Sequence, residues 1–336
     1  MGQSNCNKIN FPGGAGGWLG KQLWSGFCRA DRLPGKKVSV RDTFCLRWPA
    51  NLRFPRGHWF CLTQSVYLDY YGLTEAPFDI TPNPRFQFYS AKHREAYNHL
   101  LYGIRERKGF VQLTGEVGAG KTTLCRAMLA QLDGNFSTAL ILNPVLNPDE
   151  LMKAIATEFG LDVKGMDRLD TVAAINNFLL WQVEQGKDAV LIIDEAQNLT
   201  EQLLEQVRLL SNLELDNRKL LQIVLMGQPE LRDRLNSPNL KQLRQRITVR
   251  YHLSPLSQAE ISQYIHHRLE VSGAQGAPRF TRPALWRIHH YTGGIPRLVN
   301  AVCDKALLAG YVNQTEELDY RVIGKAIHEL EGEVGA

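Results

Sequence analysis

One stretch, Gly115-Glu116-Val117-Gly118-Ala119-Gly120-Lys121-Thr122, limits what this chain can fold into more than any other part of its 336 residues. It fits the pattern G-x-x-x-x-G-K-[ST]. The apolar run FVQLTG leads into it, and GKTTLCRAMLAQL, with the periodicity of a helix, leads out. A buried strand that turns through glycines into a helix points backbone N–H groups inward, and these can surround phosphate oxygens. The helix also presents its positive end to the same spot. Lys121 is then placed to neutralise β- and γ-phosphates, and Thr122 to ligate Mg²⁺. The whole run from Gly115 to Thr123 is expected to contact a nucleotide. A Gly-rich turn with an incidental lysine is the alternative, and the flanking strand and helix count against it.

The neighbouring sequence alternates strands with helices. SAKHREAYNHLLYGIRERKG reads as an amphipathic helix capped at Ser90 and ended by Gly109. TALILN and DAVLIID are strands, as is LLQIVLMG. NPDELMKAIATEFG opens with Asn147 as cap, Pro148 in the first helical position and Glu150 closing a capping box. Strands that are apolar throughout and alternate with helices imply a parallel sheet covered on both faces. After ITVRYHLSPL the strands stop, and SQAEISQYIHHRLEVSG starts a helical series with a Ser257–Glu260 box. The expected fold class is α/β, with a phosphate-loop parallel-sheet domain over 66–255 and a small all-helical domain over 256–336.

Composition bounds the rest. No apolar run reaches 18 residues, so no membrane-spanning helix is expected, and no signal pattern opens the chain. The net charge of +5 is unevenly spread. Residues 1–65 hold ten Lys/Arg against Asp31 and Asp42, which leaves 29 basic and 32 acidic residues, a net of −3, for the remainder. Cys6, Cys28, Cys45 and Cys61 are separated by 21, 16 and 15 residues, without the close pairs of a zinc knuckle. This leader shows neither helical nor strand periodicity. It is read as a start placed too far upstream, the native chain beginning at Val66, ahead of a disordered basic arm.

Four downstream features carry chemistry. AVLIIDEAQNL delivers Asp194 and Glu195 to the carboxyl edge of the sheet, where ligands bind in open α/β folds. Asp194 suits Mg²⁺, and Glu195 can polarise a water for in-line attack on the γ-phosphorus. An acidic pair capping the next helix is the plainer reading, and the phosphate loop upstream tips the balance to catalysis, with hydrolysis favoured over transfer to a metabolite. Gln228, ending the run IVLMGQ, either orients that water or senses the γ-phosphate, or else simply starts the next helix. Arg244, Arg246 and Arg250 stand where a helix turns into a strand. Forked, permanently charged arginines suit a phosphoryl transition state, although a solvated basic face is the plainer reading for each alone. Arg297 falls in the first turn of a helix opened by Pro296, where a cation is badly placed for the helix dipole, so it is expected to answer to a phosphate. Cys125, Cys303, Trp181 and Trp286 read as packing residues, and the pairs His266–His267 and His289–His290 as unsuited to metal.

Together these features resemble an AAA+ ATPase over nearly all of 67–333. More narrowly, YLDYYGLTEAPFDITPNPRFQFYS, GEVGAGKTT, LIIDEAQNL, GQPEL and LRQRI resemble the general secretion pathway protein A family. The resemblance implies Lys121 and Thr122 on phosphate and Mg²⁺, Asp194 on Mg²⁺ and Glu195 as base. Gln228 would be a first sensor, Arg246 a finger into a neighbouring subunit, and Arg297 a second sensor. The Tyr67–Ser90 segment would close over adenine, with Phe78 in contact. It also implies a ring or partial ring of copies, cytoplasmic or peripheral at the cytoplasmic face of the inner membrane. The ring would act on a partner in type II secretion, type IV pilus biogenesis or polysaccharide export. Two departures stand out. Most AAA+ ATPases have Asn or Thr in place of Gln228, and larger family members continue into a membrane helix and a wall-binding module, so peptidoglycan binding is not expected here. A DNA-associated regulator of transposition or replication-loader type is the second reading, disfavoured by the −3 core. A nucleotide switch without turnover is a third, and Glu195 speaks against it.

Overall fold

A computed structural model describes residues 66–332 apart from 80, 82, 133, 216 and 217. The leader, with its cysteines and the question of the start, lies outside the described residues.

Five parallel strands form the central sheet: β1 (Phe110–Gly115), β2 (Phe136–Ile141), β3 (Asp188–Ile193), β4 (Leu221–Gly227) and β5 (Ile247–Leu253), in the order β2-β3-β4-β1-β5. The register sets Thr114 of β1 against Gly227 of β4, and Leu225 of β4 against Ile193 of β3. The ends of β1, β3 and β4 therefore come out side by side, which brings the phosphate loop, Asp194–Glu195 and Gln228 to one edge. Their distance along the chain is irrelevant to that convergence.

Side chains alternate across the pleat, so each apolar strand feeds two cores. Leu191, Ile193, Ile223 and Leu225 face helices α4 (Pro148–Glu158), α5 (Arg168–Glu184) and α6 (Glu201–Leu210). Val190, Ile192, Val224 and Met226 face α2 (Ala91–Arg105) and α3 (Lys121–Gln131). Each fully buried Leu, Ile or Val stabilises by about 1.5–3 kcal/mol, which is why a sheet covered on both sides needs runs with no polar alternation. The cap at Ser90 is formed, its hydroxyl accepting from the His93 amide, but α2 stops at Arg105, short of Gly109. The capping boxes at Asn147–Glu150 and Ser257–Glu260 are both closed.

The short helices α7 (Pro229–Leu235) and α8 (Lys241–Arg246) precede β5. Beyond β5 stands a lid of four helices: α9 (Gln258–Val271), α10 (Arg282–Thr292), α11 (Pro296–Val312) and α12 (Tyr320–Leu330). A two-residue parallel bridge, Arg279–Phe280 with Glu317–Leu318, adds a trace of strand to this otherwise helical part. Two residues are too few to leave a periodicity in sequence.

The segment before α2, including α1 (Leu68–Tyr71), packs into the lid core rather than onto the sheet. Tyr71 donates to the carbonyls of Leu307 and Thr315, both at 3.2 Å, and Thr74 N–H donates to Ser272 O at 2.8 Å. Arg268 of α9, buried, donates to the carbonyls of Pro77 and Asp79 and, at 2.8 Å, to the Tyr264 hydroxyl. Cys125 and Cys303 are buried free thiols, and burial pushes Cys125 up to about 12. Trp181 and Trp286 are half exposed rather than packed, Trp286 lying flat on His290. A helix's outward face tolerates an aromatic, and the sequence pattern does not distinguish that case.

Candidate active site

Gly118 and Gly120 hold the loop in the left-handed region, at φ +80° and +96°, where any side chain is strained. Gly118 has a second constraint, because a Cβ there would stand 2.6 Å from Cβ of Arg297. The loop is buttressed from α2: His93 Nε2 donates to Ala119 O at 3.1 Å, and Nδ1 pairs with the Ser90 hydroxyl at 2.8 Å. The Ala119 carbonyl can only accept, which places the proton on Nε2.

Lys121 is only 5% exposed, and its ammonium donates to Gly115 O at 2.8 Å and Glu116 O at 3.0 Å. Burial lowers its pKa, against the pull of Glu195, Asp194, Glu116 and Glu230 in the other direction. A buried cation held by neutral carbonyls is poorly compensated, and phosphate oxygens are the natural complement. Next to it, the Thr122 hydroxyl donates to Asp194 Oδ2 at 2.5 Å, while Asp194 Oδ1 accepts the Glu195 N–H at 2.9 Å. A hydroxyl and a carboxylate oxygen in contact form a small hard-donor set. It fits Mg²⁺, which favours oxygen and takes few protein ligands when it arrives on phosphates.

Glu195 has φ +52°, uncommon for a residue with a side chain. Its Oε2 accepts from Gln228 Nε2 at 3.1 Å and from Gln197 Nε2. Gln228 occupies the position before Pro229 that starts α7, yet its side chain makes no cap and turns to Glu195 instead. Gln228 thus starts α7 through its backbone while its side chain stands on Glu195. Gln197 was not singled out in the sequence, because a glutamine two residues past an acidic pair carries no motif of its own.

A cleft of about 460 Å³ lies between sheet and lid, lined by the loop from Val117 to Thr123, by Glu195, and by Arg297 and Asn300 of α11. Arg297 stands in the first turn of α11, as expected, with its backbone N–H on Gly118 O at 3.3 Å. The lid therefore touches the phosphate loop directly. Phe78 does not line the cleft: its ring is 1% exposed and packs edge-on against Phe280 in the lid core. The aromatic rings that do line it are Phe86, Phe88 and Tyr264. The segment contains several aromatics, and only tertiary packing decides which of them turns inward.

The three arginines stand apart from the cleft. Arg246 ends α8, immediately before Ile247, which pairs with the first residue of β1, whereas the phosphate loop follows the last. Six residues of strand at about 3.3 Å each place it about 17–20 Å from the loop. Its Nη1 donates to Ser211 Oγ at 2.9 Å, and Arg250 Nη2 donates to Arg244 O at 2.6 Å. Among the described residues no group of three or more His, Cys, Asp or Glu could hold a metal, and no helix is long and apolar enough to cross a membrane.

Comparison with known proteins agrees with this geometry. Residues 104–235 match the AAA domain family. The chain is 46% identical over 270 residues, 80% of its length, to General secretion pathway protein A of Aeromonas hydrophila. It spans 49% of that relative, so about half of the longer protein has no counterpart in the match. Among solved structures, the Aeropyrum pernix ORC2 protein in its ADPNP–ADP complexes superposes with a TM-score of 0.56 at 18% identity, over 77% of this chain and 72% of that one. The Drosophila ORC bound to DNA gives 0.59 at 15% identity, over 84% and 70%. At such identities these two speak for the fold alone. With the parallel sheet and the phosphate loop in agreement, residues 104–235 form an AAA domain, and over 80% of its length the chain is similar to General secretion pathway protein A.

Proposed function

We propose that this chain hydrolyses ATP with Mg²⁺ in a ring or partial ring of copies and uses the energy to rearrange a partner in assembly of the cell envelope. The observation carrying the hydrolytic part is the contact of Thr122 with Asp194, backed by Glu195, beside a buried Lys121. Lys121 and the loop amides bind the phosphates. Thr122 and Asp194 hold Mg²⁺, which when bound neutralises charge on the β- and γ-phosphates. Glu195 accepts the proton of the attacking water, and Gln228, already on its carboxylate, is placed to orient that water. Arg297 brings a lid charge to the loop. Phe86, Phe88 and Tyr264 replace Phe78 as the surface for the base.

Arg246 is too far from its own cleft to act there, which supports a role across a subunit interface. An envelope partner rests on the likeness to General secretion pathway protein A, with a position in the cytoplasm or at the cytoplasmic face of the inner membrane. The DNA-associated alternative draws on the likeness in fold to a Drosophila ORC bound to DNA, but the −3 charge of residues 66–336 lacks the basic excess such binding needs.

Glu195→Gln tests the hydrolytic core. ATP binding should persist while turnover falls by about 10²-fold or more, because an amide cannot take the water's proton. Normal turnover would exclude Glu195 as base. The ATP-bound variant should also co-purify with an envelope protein of its host, and recovery on DNA would favour the alternative.

A further inference from the structure

Glu195 does not stand free in the cleft. Gln197 Nε2 and Gln228 Nε2 both donate to its Oε2, and neither engages Oε1. Gln197 also accepts, through Oε1, the backbone N–H of Gln228 at 3.1 Å. One carboxamide thus ties the carboxylate to the backbone of the loop after β4. Its two ends cannot be exchanged: the carboxylate only accepts and the N–H only donates, so Nε2 must face Glu195 and Oε1 must face Gln228. Gly227 leaves the space for this, since a Cβ there would stand 2.6 Å from Gln197 Oε1.

We propose that Gln197 is the positioning residue of the hydrolytic site: it fixes the Glu195 carboxylate and couples it to the Gln228 loop. The proposal rests on Glu195 being the base. Gln228 has two tasks, since its side-chain amide can serve either Glu195 or an incoming γ-phosphate. When that amide leaves for the phosphate, Gln197 remains and the carboxylate keeps its orientation, with Oε1 as the oxygen turned to water. The Glu195 backbone is itself left-handed, a conformation that persists only where the surroundings hold it, and Asp194 Oδ1 accepts its N–H while the glutamines hold its carboxylate.

The test compares Gln197→Ala and Gln197→Glu alone and combined with Glu195→Gln, measuring turnover at saturating ATP, ATP affinity and melting. Gln197→Ala should lose about 10- to 100-fold in kcat, the worth of a hydrogen bond to a charged group, with ATP affinity within about twofold of the parent. Gln197→Glu keeps the acceptor for Gln228 N–H but sets a like charge on Glu195, so it should fall at least as far while retaining the shape. In the Glu195→Gln background neither substitution should reduce the residual rate further, which a merely structural role would do. Gly227→Ala, whose Cβ would stand 2.6 Å from Gln197 Oε1 and 3.0 Å from Leu231 Cδ2, should reproduce the kcat loss, with Leu231→Ala as the control that relieves the second contact. The proposal is overturned if Gln197→Ala turns over normally, or if its loss multiplies fully in the Glu195→Gln background. Should Glu195→Gln itself be fully active, the base assignment falls, a result distinct from a dead Glu195→Gln with a normal Gln197→Ala.

Discussion

Arg246→Ala separates a site completed by a neighbour from one that is self-contained. The backbone of Arg246 stands at the opposite end of β1 from its own loop, about 17–20 Å away by the length of that strand, and its side chain donates to Ser211. Its removal should therefore leave ATP affinity unchanged. A finger supplied across an interface is worth about 10³–10⁵ in turnover, so the variant should bind normally and hydrolyse almost nothing. Glu195→Gln has the complementary defect, with a dead pocket and an intact arginine. In an equal mixture of the two, half of the pockets and half of the arginines are intact. A head-to-tail ring with random neighbours would then pair them at about one quarter of its interfaces. The mixture should recover about a quarter of the parent's specific activity, read by phosphate release, from two inactive preparations. Parallel mixtures with Arg244→Ala and Arg250→Ala show which arginine has the role, and the parent's specific activity should rise with protein concentration. Turnover independent of concentration, with no rescue in any mixture, would refute the shared site.

Lys121→Met should abolish nucleotide binding, measured by titration with a fluorescent ATP analogue. Its melting temperature should equal or exceed the parent's, since burial is the largest influence on this ammonium and works against its charge; an earlier melt would refute that. His93 is buried and its pKa is lowered below the usual value of 6.5, so the unfolded chain binds its proton more readily than the folded one. The contribution is fully present above pH 6.5 and is lost as pH falls through that value towards the folded pKa. His93→Asn should flatten that part of the stability curve in urea melts, and an unchanged slope there would exclude the histidine. Gly118→Ala forces a side chain into a left-handed backbone and against Arg297. It should cost about 1–3 kcal/mol of stability and weaken ATP binding, and a variant equal to the parent in both would show that the loop and lid give way freely.

The sheet was legible because its strands are buried on two sides, which leaves uninterrupted apolar runs such as AVLII and LQIVL. Capping boxes were legible because they are local chemistry, satisfied within four residues. Lys121, Thr122, Asp194 and Glu195 could be picked out because their spacing is fixed by strand ends. Gln197 could not, since its role depends on a strand more than 20 residues further on. The aromatics of the N-terminal segment behave likewise: Phe78, Phe86 and Phe88 are equivalent by composition, and only tertiary packing keeps the first off the cleft and sets the buried Phe86 and the partly buried Phe88 along its wall. Among Arg244, Arg246 and Arg250 only the resemblance singles out Arg246, and the strand register adds that its backbone stands at the end of β1 opposite the phosphate loop.

The N-terminal segment runs through the lid core and returns to the sheet at α2, while the lid's own helices leave the sheet after β5. Among the described residues the chain thus crosses between the two parts twice, once on the way to Ser90 and once after Leu253. A body joined at one point can swivel about any axis, but one joined at two turns freely only about the line through them. Such a connection would let the lid turn as a hinged door does, not as a ball joint. Were the lid to move, two crossings would confine its swing to an arc, and Arg297, mounted on α11 away from either crossing in sequence, would travel along that arc relative to Gly118.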